Sequence, residues 1–347
     1  MKKVLLLQDV IPHYRYPVFN ELAKKYDFTV AYSKGKKPEG VDFKTMFIPK
    51  VKAHYGFYKR NIFRITKDYD AVICMLSYGN MDCNLLSLFP RKCKVIMWGI
   101  GVSAGYNCRY DESQKISNIL RFLIKKIDAV VFYSDYPKNK YTHMGINPQK
   151  MFVANNTVEV CDIKDIKRDI ILFVGSLYKQ KKIDVLLDFY LEAYKTNKNI
   201  PELVIVGDGD ETENIKKFTK DNLIEDKITL TGGIYDEKEL SKYFEKAIMC
   251  ISPDQAGLTV LKSMGYGVPF VTHKDAITGG EIFNIVHGEN GILLEDFKEI
   301  KDIILESTEQ YEKYETMGKN ARAFYAENRT VDKMVEGFVQ AIEYATR

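Results

Sequence analysis

Residues 254–269 read D-Q-A-G-L-T-V-L-K-S-M-G-Y-G-V-P and follow a short apolar run at residues 247–251. The apolar run predicts a buried strand, which a serine and a proline end. Gly257 predicts a turn, and the residues after it predict a helix at residues 258–264. Turn amides and the positive end of a helix dipole attract phosphate groups. The stretch therefore predicts a site for a phosphorylated ligand, with the Asp254 carboxylate free to bind hydroxyls.

Short apolar runs alternate with amphipathic segments of helix length through almost the whole chain. The predicted strands cover residues 3–7, 28–32, 71–75, 94–98, 129–133, 170–174, 202–206, 228–231, 247–251 and 269–272. The helix candidates between them include residues 17–25, 116–126, 183–196, 211–222 and 237–246. This alternation predicts an α/β fold in which helices cover both faces of parallel sheets.

The strand–helix pattern restarts near residue 169, after a polar and charged stretch at residues 155–169 that is typical of a linker. A length of 347 residues also suggests two domains. We expect doubly wound domains at residues 1–160 and 169–330, with ligands outside the carboxyl ends of the strands. A last helix near residues 332–345 has an apolar face, so residues 331–347 would pack back on the N-terminal domain.

Composition excludes several classes of protein. The net charge is only +4, which gives no argument for nucleic-acid binding. The six cysteines form no C-x-x-C pair, so we expect neither a zinc site nor a disulfide framework, and a reducing cytoplasm fits best. No apolar run approaches the roughly 20 residues that span a bilayer, and the N-terminus reads as a strand rather than a signal peptide. Any membrane contact would be peripheral.

Two stretches combine basic and aromatic residues: residues 54–60, and the segment around Phe122 that also carries Lys115, Arg121, Lys125 and Lys126. Basic amphipathic helices can lie on anionic membrane surfaces. A helix that faces the core and has a solvated basic face gives the same pattern. Peripheral contact with the inner face of the cell membrane is therefore one of two interpretations.

Three lysines follow the predicted strand at residues 170–174 and its glycine turn: Lys179, Lys181 and Lys182. Cationic side chains in this position could neutralise a diphosphate leaving group. A solvated basic loop is the alternative. The position at the end of a predicted strand favours the phosphate interpretation.

Other strand ends carry weaker signals. Asp208-Gly209-Asp210 matches the D-x-D pattern of some metal sites, although a tight turn explains it equally well. Tyr235 follows a pair of glycines and could stack on a nucleobase, or belong to an ordinary loop. Glu281 follows Gly279-Gly280 and precedes an apolar helix pattern, where helix capping alone accounts for an acid.

In the first half, polar and aromatic residues cluster where an open sheet would bind a ligand. His13, Tyr14 and Arg15 follow the first strand, and Trp98-Gly99 ends a later one. The second segment lacks the G-x-G-x-x-G spacing of dinucleotide-binding proteins. No serine, histidine or cysteine is identifiable as a nucleophile.

Taken together, these segments resemble the GT-B glycosyltransferases, specifically the retaining family 4, or glycosyl transferases group 1. The resemblance covers the second half and is looser in the first. Its motifs are matched by Gly175, Lys181, Ile183 and Asp184, by the turn Gly207-Asp208-Gly209, and by Asp254, Gly257, Leu258, Met264, Gly267 and Pro269.

The resemblance implies two Rossmann-like domains facing across a cleft, with the acceptor in the first and a nucleoside-diphosphate sugar in the second. Asp254 and Lys181 would be catalytic, the first on the sugar hydroxyls and the second on the departing diphosphate. The implied donor-binding residues are Gly175, Ser176, Lys181, Gly209, Tyr235, Asp254, Ala256, Gly257, Leu258, Thr259 and Lys262. The implied acceptor-binding residues are His13, Tyr14, Arg15, Trp98 and Gly99, with Glu281 as a further cleft residue.

Two positions in the second half of the chain depart from the family pattern. Ser176 stands where the family has an arginine, and Lys262 stands where it has an acid that binds the nucleotide ribose. A lysine has three hydrogen-bond donors and no acceptor. Lys262 could replace the missing diphosphate contact, which we favour, or it could impair donor binding and leave a non-catalytic relative.

The sequence as a whole predicts a cytoplasmic retaining glycosyltransferase that needs neither a metal nor a cofactor besides its nucleotide-sugar donor. The expected acceptor is a glycan or lipid-linked glycan, by analogy with bacterial surface polysaccharide assembly. One alternative is a catalytically silent, nucleotide-sugar-binding partner of an active transferase. Another is a sugar-nucleotide epimerase, for which only His13 and Glu281 offer acid–base groups.

Overall fold

The computed structural model describes residues 1–53, 56–59, 61–105, 108–162 and 166–347. Parts of two predicted features lie outside them: residues 54, 55 and 60 of the first basic–aromatic stretch, and residues 163–165 of the expected linker. The chain divides into two compact units. Unit 1 comprises Met1–Ala104, Tyr110–Val158 and Arg329–Arg347, and unit 2 comprises Gly105–Arg109 and Glu159–Asn328.

The strands are, in chain order, β1 (Lys3–Leu7), β2 (Asp27–Tyr32), β3 (Lys44–Phe47), β4 (Lys50–Ala53), β5 (Gly56–Lys59), β6 (Ala71–Met75), β7 (Lys94–Gly99), β8 (Ala129–Phe132), β9 (Met151–Val153), β10 (Ile170–Val174), β11 (Glu202–Val206), β12 (Ile228–Gly232), β13 (Ala247–Ile251), β14 (Gln255–Ala256), β15 (Phe270–His273), β16 (Ile277–Thr278) and β17 (Gly291–Leu294).

The α-helices are α1 (Tyr16–Lys25), α2 (Ile62–Ile65), α3 (Met81–Leu88), α4 (Gln114–Lys126), α5 (Asp135–His143), α6 (Ile183–Thr196), α7 (Thr212–Asp221), α8 (Glu237–Lys246), α9 (Leu258–Gly265), α10 (Glu299–Glu309), α11 (Tyr311–Asn328) and α12 (Val331–Ala345). Short 3-10 turns lie at His13–Arg15, Thr66–Asp68, Pro148–Lys150, Lys179–Lys181 and Glu281–Asn284.

Unit 1 contains a parallel sheet in the order β3-β2-β1-β6-β7-β8-β9. In β1, Val4 and Leu6 face a core shared with α1 and α12, while Leu5 and Leu7 face the core under α3, α4 and α5. Burial on both faces explains why the strand is apolar at every position. The helix α12 lies in this unit, where the Phe338 ring centroid is 5.0 Å from that of Trp98.

Unit 2 contains a parallel sheet in the order β12-β11-β10-β13-β15-β17. Within β10, Ile171 and Phe173 face the core under α6 and α10, and Ile170 and Leu172 face the core under α8 and α9. The two units confirm the predicted α/β class of doubly wound parallel sheets. The strand order reverses between β10 and β13, and the carboxyl edge at such a reversal is where open α/β sheets usually have a ligand crevice.

The helix that the apolar pattern after Glu281 predicts is absent, and a single 3-10 turn replaces it. Side-chain amides take the place of helical hydrogen bonds there. Asn284 Nδ2 donates to the Glu281 carbonyl at 2.8 Å, and Asn290 Oδ1 accepts from the Val286 amide at 2.8 Å. Local bonds of this kind compete with a helix.

All six cysteines are unpaired thiols. Among the described residues, no helix combines the length and apolar composition that crossing a bilayer requires.

Candidate functional site

The loops at the carboxyl edge of unit 2 approach one another closely because glycines occupy the points of contact. A Cβ atom on Gly207 would lie 2.0 Å from the Gly175 carbonyl oxygen, and one on Gly209 would lie 2.3 Å from that of Leu177. The Leu177 amide donates to the Asp208 carbonyl at 2.9 Å and joins the loops after β10 and β11. These turns therefore form a fixed backbone wall beside the crevice.

The helix α9 begins at this edge with an uncapped N-terminus. Gly257 precedes it, no side chain caps it, and a Cβ atom on Gly257 would meet no atom within 4 Å. The Thr259 hydroxyl lies 3.5 Å from the Val174 carbonyl oxygen, which places the start of the helix beside the end of β10. The start of α9 therefore has open space beside Gly257, and a helix start of this kind is a suitable place for an anion.

Lys181 is almost completely buried at the same edge, with 8% of its surface exposed. Its Nζ atom lies against Gly175, where a Cβ atom would approach to 2.0 Å, and it is 5.6 Å from the Phe173 ring centroid. Within the part of the chain that the structure describes, no carboxylate lies within 4.0 Å of this ammonium. Burial lowers the pKa of Lys181 to about 8, so the amine remains largely protonated at neutral pH.

The nearby Cys250 thiol does not supply a counter-charge to Lys181. Burial raises the pKa of Cys250 to about 12, and the positive charge of Lys181 opposes that shift only in part. The thiol is therefore neutral at pH 7. Lys181 remains a buried cation without an anionic partner among the described residues, which is the electrostatic state that a phosphate ligand would relieve.

Asp254, the acid expected to contact the donor sugar, forms an ion pair with Lys182. The Lys182 Nζ atom is 2.7 Å from Asp254 Oδ2, and it also lies 4.6 Å from the Phe297 ring centroid. Asp254 is mostly buried, and its carbonyl accepts from the Ile277 amide at 3.0 Å. The pair joins the basic loop after β10 to the segment after β13, which the sequence alone did not indicate.

Lys262 pairs with Glu237, the first residue of α8. The Lys262 amine contacts Glu237 Oε2, and the Tyr266 hydroxyl donates to Glu237 Oε1 at 2.7 Å. The Cys161 amide in turn donates to the Tyr266 oxygen at 3.0 Å. Burial raises the pKa of Tyr266 well above its usual range, so its hydroxyl stays a donor. Glu237 remains one third exposed at the carboxyl edge.

Sequence reasoning missed Glu237 and Tyr266 as site residues. One signal was available, because Glu237 opens a predicted helix shortly after the glycine pair at the end of β12. Acids are favoured at that position by the helix dipole alone, so the signal does not separate a site from a cap.

The D-x-D segment forms a turn that precedes α7. Asp208 Oδ1 accepts from the Gly209 amide at 2.8 Å and from the Thr212 hydroxyl at 3.1 Å. In residues 1–53, 56–59, 61–105, 108–162 and 166–347, no group of three or more His, Cys, Asp or Glu side chains could hold a metal ion.

The remaining residues of the donor set occupy different environments. Glu281 is buried, and its Oε2 atom accepts a hydrogen bond from the Gly279 amide at 3.1 Å. This bond stabilises the loop that contains Glu281. Tyr235 is 82% exposed, with its ring folded against Gly233. Ser176 is exposed, and Ala256 is fully buried.

In unit 1, the expected acceptor residues divide into a buried and an accessible group. Arg15 is 3% exposed, with its guanidinium 5.0 Å from the Trp98 ring centroid and its Nη2 atom donating to Asn156 Oδ1 at 2.6 Å. Trp98 is fully buried, and Gly99 packs against Leu76. His13 is exposed and Tyr14 is partly exposed, so these two offer the accessible surface.

The sequence of this chain is similar to those of known proteins. The family model of the glycosyl transferases group 1 matches residues 162–324. An uncharacterized glycosyltransferase of Haemophilus influenzae is 26% identical over 324 residues, covering 85% of this chain and 86% of that protein. N-acetyl-alpha-D-glucosaminyl L-malate synthase of Bacillus anthracis is 24% identical over 239 residues, covering 64% of this chain and 61% of that enzyme.

The similarity in structure extends over the whole chain. The crystal structure of Anabaena HepE in complex with UDP superposes with a TM-score of 0.76, covering 99% of this chain and 100% of that one at 15% sequence identity. At that identity the likeness concerns the fold. The family match, the relative that covers most of the chain and the shared architecture together establish that the chain has the GT-B fold and contains, at residues 162–324, a segment of the glycosyl transferases group 1.

Proposed function

We propose that this chain is a retaining glycosyltransferase that moves a sugar from a nucleoside-diphosphate sugar to a glycan or lipid-linked glycan. The observation that carries the proposal is Lys181, a buried ammonium with no carboxylate partner among the described residues. It lies against Gly175, next to the carbonyl of Val174 that Thr259 approaches. A diphosphate bound there would meet both this cation and the free amides of α9.

In the proposed reaction the bond between the sugar anomeric carbon and the diphosphate oxygen breaks, and its electron pair leaves with the diphosphate. Lys181 and the amides of Leu258 and Thr259 stabilise that developing charge. The acceptor hydroxyl oxygen bonds to the anomeric carbon from the same face, and its proton passes to the departing phosphate. Asp254, oriented by Lys182, accepts hydrogen bonds from sugar hydroxyls. This arrangement needs no divalent metal, because protein groups supply the positive charge.

We further propose that Glu237 binds the ribose hydroxyls that residue 262 would bind in the family. Lys262 and Tyr266 both hold the Glu237 carboxylate, and one third of that side chain is exposed. Two fixed donors orient the carboxylate and leave further lone pairs for hydroxyl groups. In this account Lys262 is a positioning residue. A direct contact of Lys262 with the diphosphate remains the competing prediction.

The names of relatives suggest which donor substrates to test first. HepE binds UDP in its crystal structure, and the Bacillus relative is named N-acetyl-alpha-D-glucosaminyl L-malate synthase. We therefore propose UDP-linked sugars as the first donors to test, with UDP-N-acetylglucosamine among them. Glycans and lipid-linked glycans are the proposed acceptors, and assembly of bacterial surface polysaccharide is the proposed setting.

The test is incubation with a panel of UDP-, GDP- and ADP-sugars, with and without glycan and lipid-linked acceptors, followed by analysis of all products. We expect release of a nucleoside diphosphate from one donor, faster with an acceptor, and formation of a glycosylated product. Binding of a donor without turnover would instead favour the silent partner. Interconversion of sugar nucleotides would identify an epimerase.

A further inference from the structure

Unit 1 carries an exposed surface on which large apolar side chains and cations are interleaved. It is formed by α2, the turn after it, the end of α3 and the outer side of α4. We call it the basic–aromatic face. Its apolar members are Phe63, Leu88, Phe89, Ile119 and Phe122, each between 38% and 53% exposed. Its cations are Arg64, Lys67, Lys92, Lys115, Lys125 and Lys126, all exposed.

Contacts show that these residues form one continuous face. The rings of Phe63 and Phe89 lie 6.4 Å apart, joining α2 to the end of α3. Arg91 follows that end, and its Nη2 atom donates to the Lys126 carbonyl on α4. The Lys126 amine lies 5.9 Å from the Phe122 ring centroid.

A shallow cavity of about 280 Å³ opens where α2 meets the segment after α3. Phe63, Lys67, Arg91 and Lys92 line it, together with Thr66 and Pro90. The cavity combines an aromatic wall with cations at its rim, which suits a phosphate-bearing headgroup attached to an apolar chain.

The helix α4 presents this face along its length. Lys115, Ile119, Phe122 and Lys126 recur at intervals of four, three and four residues, so they lie on one side of the helix. Leu120 and Leu123 occupy the opposite side and are buried in the core. The sequence pattern thus has two apolar faces, one for the core and one exposed between lysines.

The cations of this face lack counter-ions in the described part of the chain. Among the described residues, none of the six lies within 4.0 Å of a carboxylate. Asp128, the acid beside the face, is already held by Arg91 and Lys94. In the chain, Asp68 follows Lys67, and Glu112 lies shortly before α4.

We propose that the basic–aromatic face rests on an anionic lipid bilayer. Burying the exposed phenylalanines in the apolar boundary of a membrane is favourable, and the lysines around them would bind anionic headgroups. A nucleic acid would satisfy the cations but would leave the aliphatic and aromatic side chains in water. This binding does not depend on the proposed transferase chemistry. It explains how a chain without a described spanning helix could meet a lipid-linked acceptor.

The test measures sedimentation of the full chain with vesicles of phosphatidylcholine alone and of phosphatidylcholine and phosphatidylglycerol in equal amounts. The test variant is Phe122→Ser/Lys125→Glu/Lys126→Glu. The matched control is Leu223→Ser/Lys217→Glu/Lys220→Glu, which makes the same changes at exposed positions of unit 2. Thermal unfolding, measured on all three proteins, establishes that each is folded.

We expect the unmodified chain to bind the anionic vesicles, more weakly at high salt and hardly at all without phosphatidylglycerol. The test variant should bind at least about 25-fold more weakly, since each lysine near the surface contributes about fivefold. The control should stay within about threefold. Equal binding by the test variant, no preference for anionic vesicles, or equally tight binding of duplex DNA would overturn the proposal. None of these outcomes depends on glycosyl transfer.

Discussion

At the scale of single residues, the environment of Lys181 is the strongest indication of a bound anionic ligand. Its ammonium is buried against Gly175 and two aromatic rings, and burial lowers its pKa to about 8. A shift from 10.5 to about 8 corresponds to a cost of about 3 kcal/mol in the folded state at neutral pH. Such a cost is typical of functional sites, where a bound anion offsets it.

Replacing Lys181 with methionine should stabilise the protein and abolish donor binding. The variant keeps most of the apolar chain and removes the buried charge, so its free energy of unfolding at pH 7 should rise by about 3 kcal/mol. Urea unfolding and UDP titration measure the two effects. Lys195→Met, at an exposed position of α6, is the control and should change neither. A destabilised Lys181→Met protein that still binds UDP would contradict this account.

Titration of the Lys181 amine predicts how both the stability of the protein and its affinity for the donor change with pH. Because the folded pKa lies below the unfolded value, the unfolded chain binds more protons between pH 8 and 10.5, and stability should rise with pH through that window. Donor binding should move the opposite way, weakening by about tenfold between pH 7 and pH 9 as the free amine loses its proton. Lys181→Met should show neither trend. A flat binding profile for the unmodified protein would exclude Lys181 from the site.

The roles of Lys262 and Glu237 can be assigned by comparing how variants bind a nucleotide, UDP, and its nucleoside, uridine. If Lys262 positions Glu237 on the ribose, Lys262→Ala and Glu237→Gln should each weaken UDP and uridine by the same factor, about tenfold. If Lys262 contacts the diphosphate, Lys262→Ala should weaken UDP far more than uridine. Glu239→Gln is the control, because that acid pairs only with exposed Lys242 among the described residues. Competition titrations distinguish these outcomes.

The sequence identified the unusual lysine at position 262 but not its partner. Glu237 and Lys262 are separated by 25 residues, and they meet because α8 and α9 cover the same face of the sheet. No local sequence pattern predicts that contact. The Lys182–Asp254 pair is similar, since it joins loops from two strands that are neighbours only in the folded sheet.

At the scale of elements, the glycine turns and the start of α9 have different roles. Gly207 allows two loops to approach, whereas Gly257 leaves space empty. The first is a packing requirement of the fold, and the second is a requirement of the proposed ligand. Alanine at each position therefore separates stability from binding.

Gly257→Ala should leave the free energy of unfolding within about 0.5 kcal/mol, since the added methyl meets no atom within 4 Å. It should weaken UDP binding by about tenfold, because the methyl enters the space before the α9 amides. Gly207→Ala should instead cost about 2 kcal/mol or more, because its Cβ would lie 2.0 Å from a backbone oxygen. Chemical denaturation and UDP titration of both variants provide the check. A Gly257→Ala protein with unchanged UDP affinity would remove the helix start from the donor site.

Strands buried on both faces were the most predictable elements. Continuous apolar runs gave β1, β6, β10, β11 and β13 at the bounds that the structure has. The short strands β3, β9 and β17 were missed, because β3 is largely uncovered and the other two have only three or four residues. The apolar pattern after Glu281 was misleading, since side-chain amides end the helix after one turn.

At the scale of the whole molecule, the alternation of strands and helices was sufficient to predict the α/β class and two doubly wound sheets. The fold alone does not determine chemistry, because doubly wound sheets host many activities. What favours glycosyl transfer is the set of groups at one carboxyl edge of unit 2: a buried cation, an open helix start and a carboxylate held by a lysine. The family match over residues 162–324 agrees with that set.

The most direct measurement is the rate at which UDP is released from a UDP-sugar in the presence of acceptor, compared among the unmodified chain, Lys181→Met and Lys195→Met. We predict turnover by the unmodified chain and by Lys195→Met. We expect the rate to fall by at least about a hundredfold in Lys181→Met, because the positive charge that stabilises the leaving group is removed. Equal rates for all three proteins, or tight UDP binding by a chain that turns over no sugar nucleotide, would contradict it.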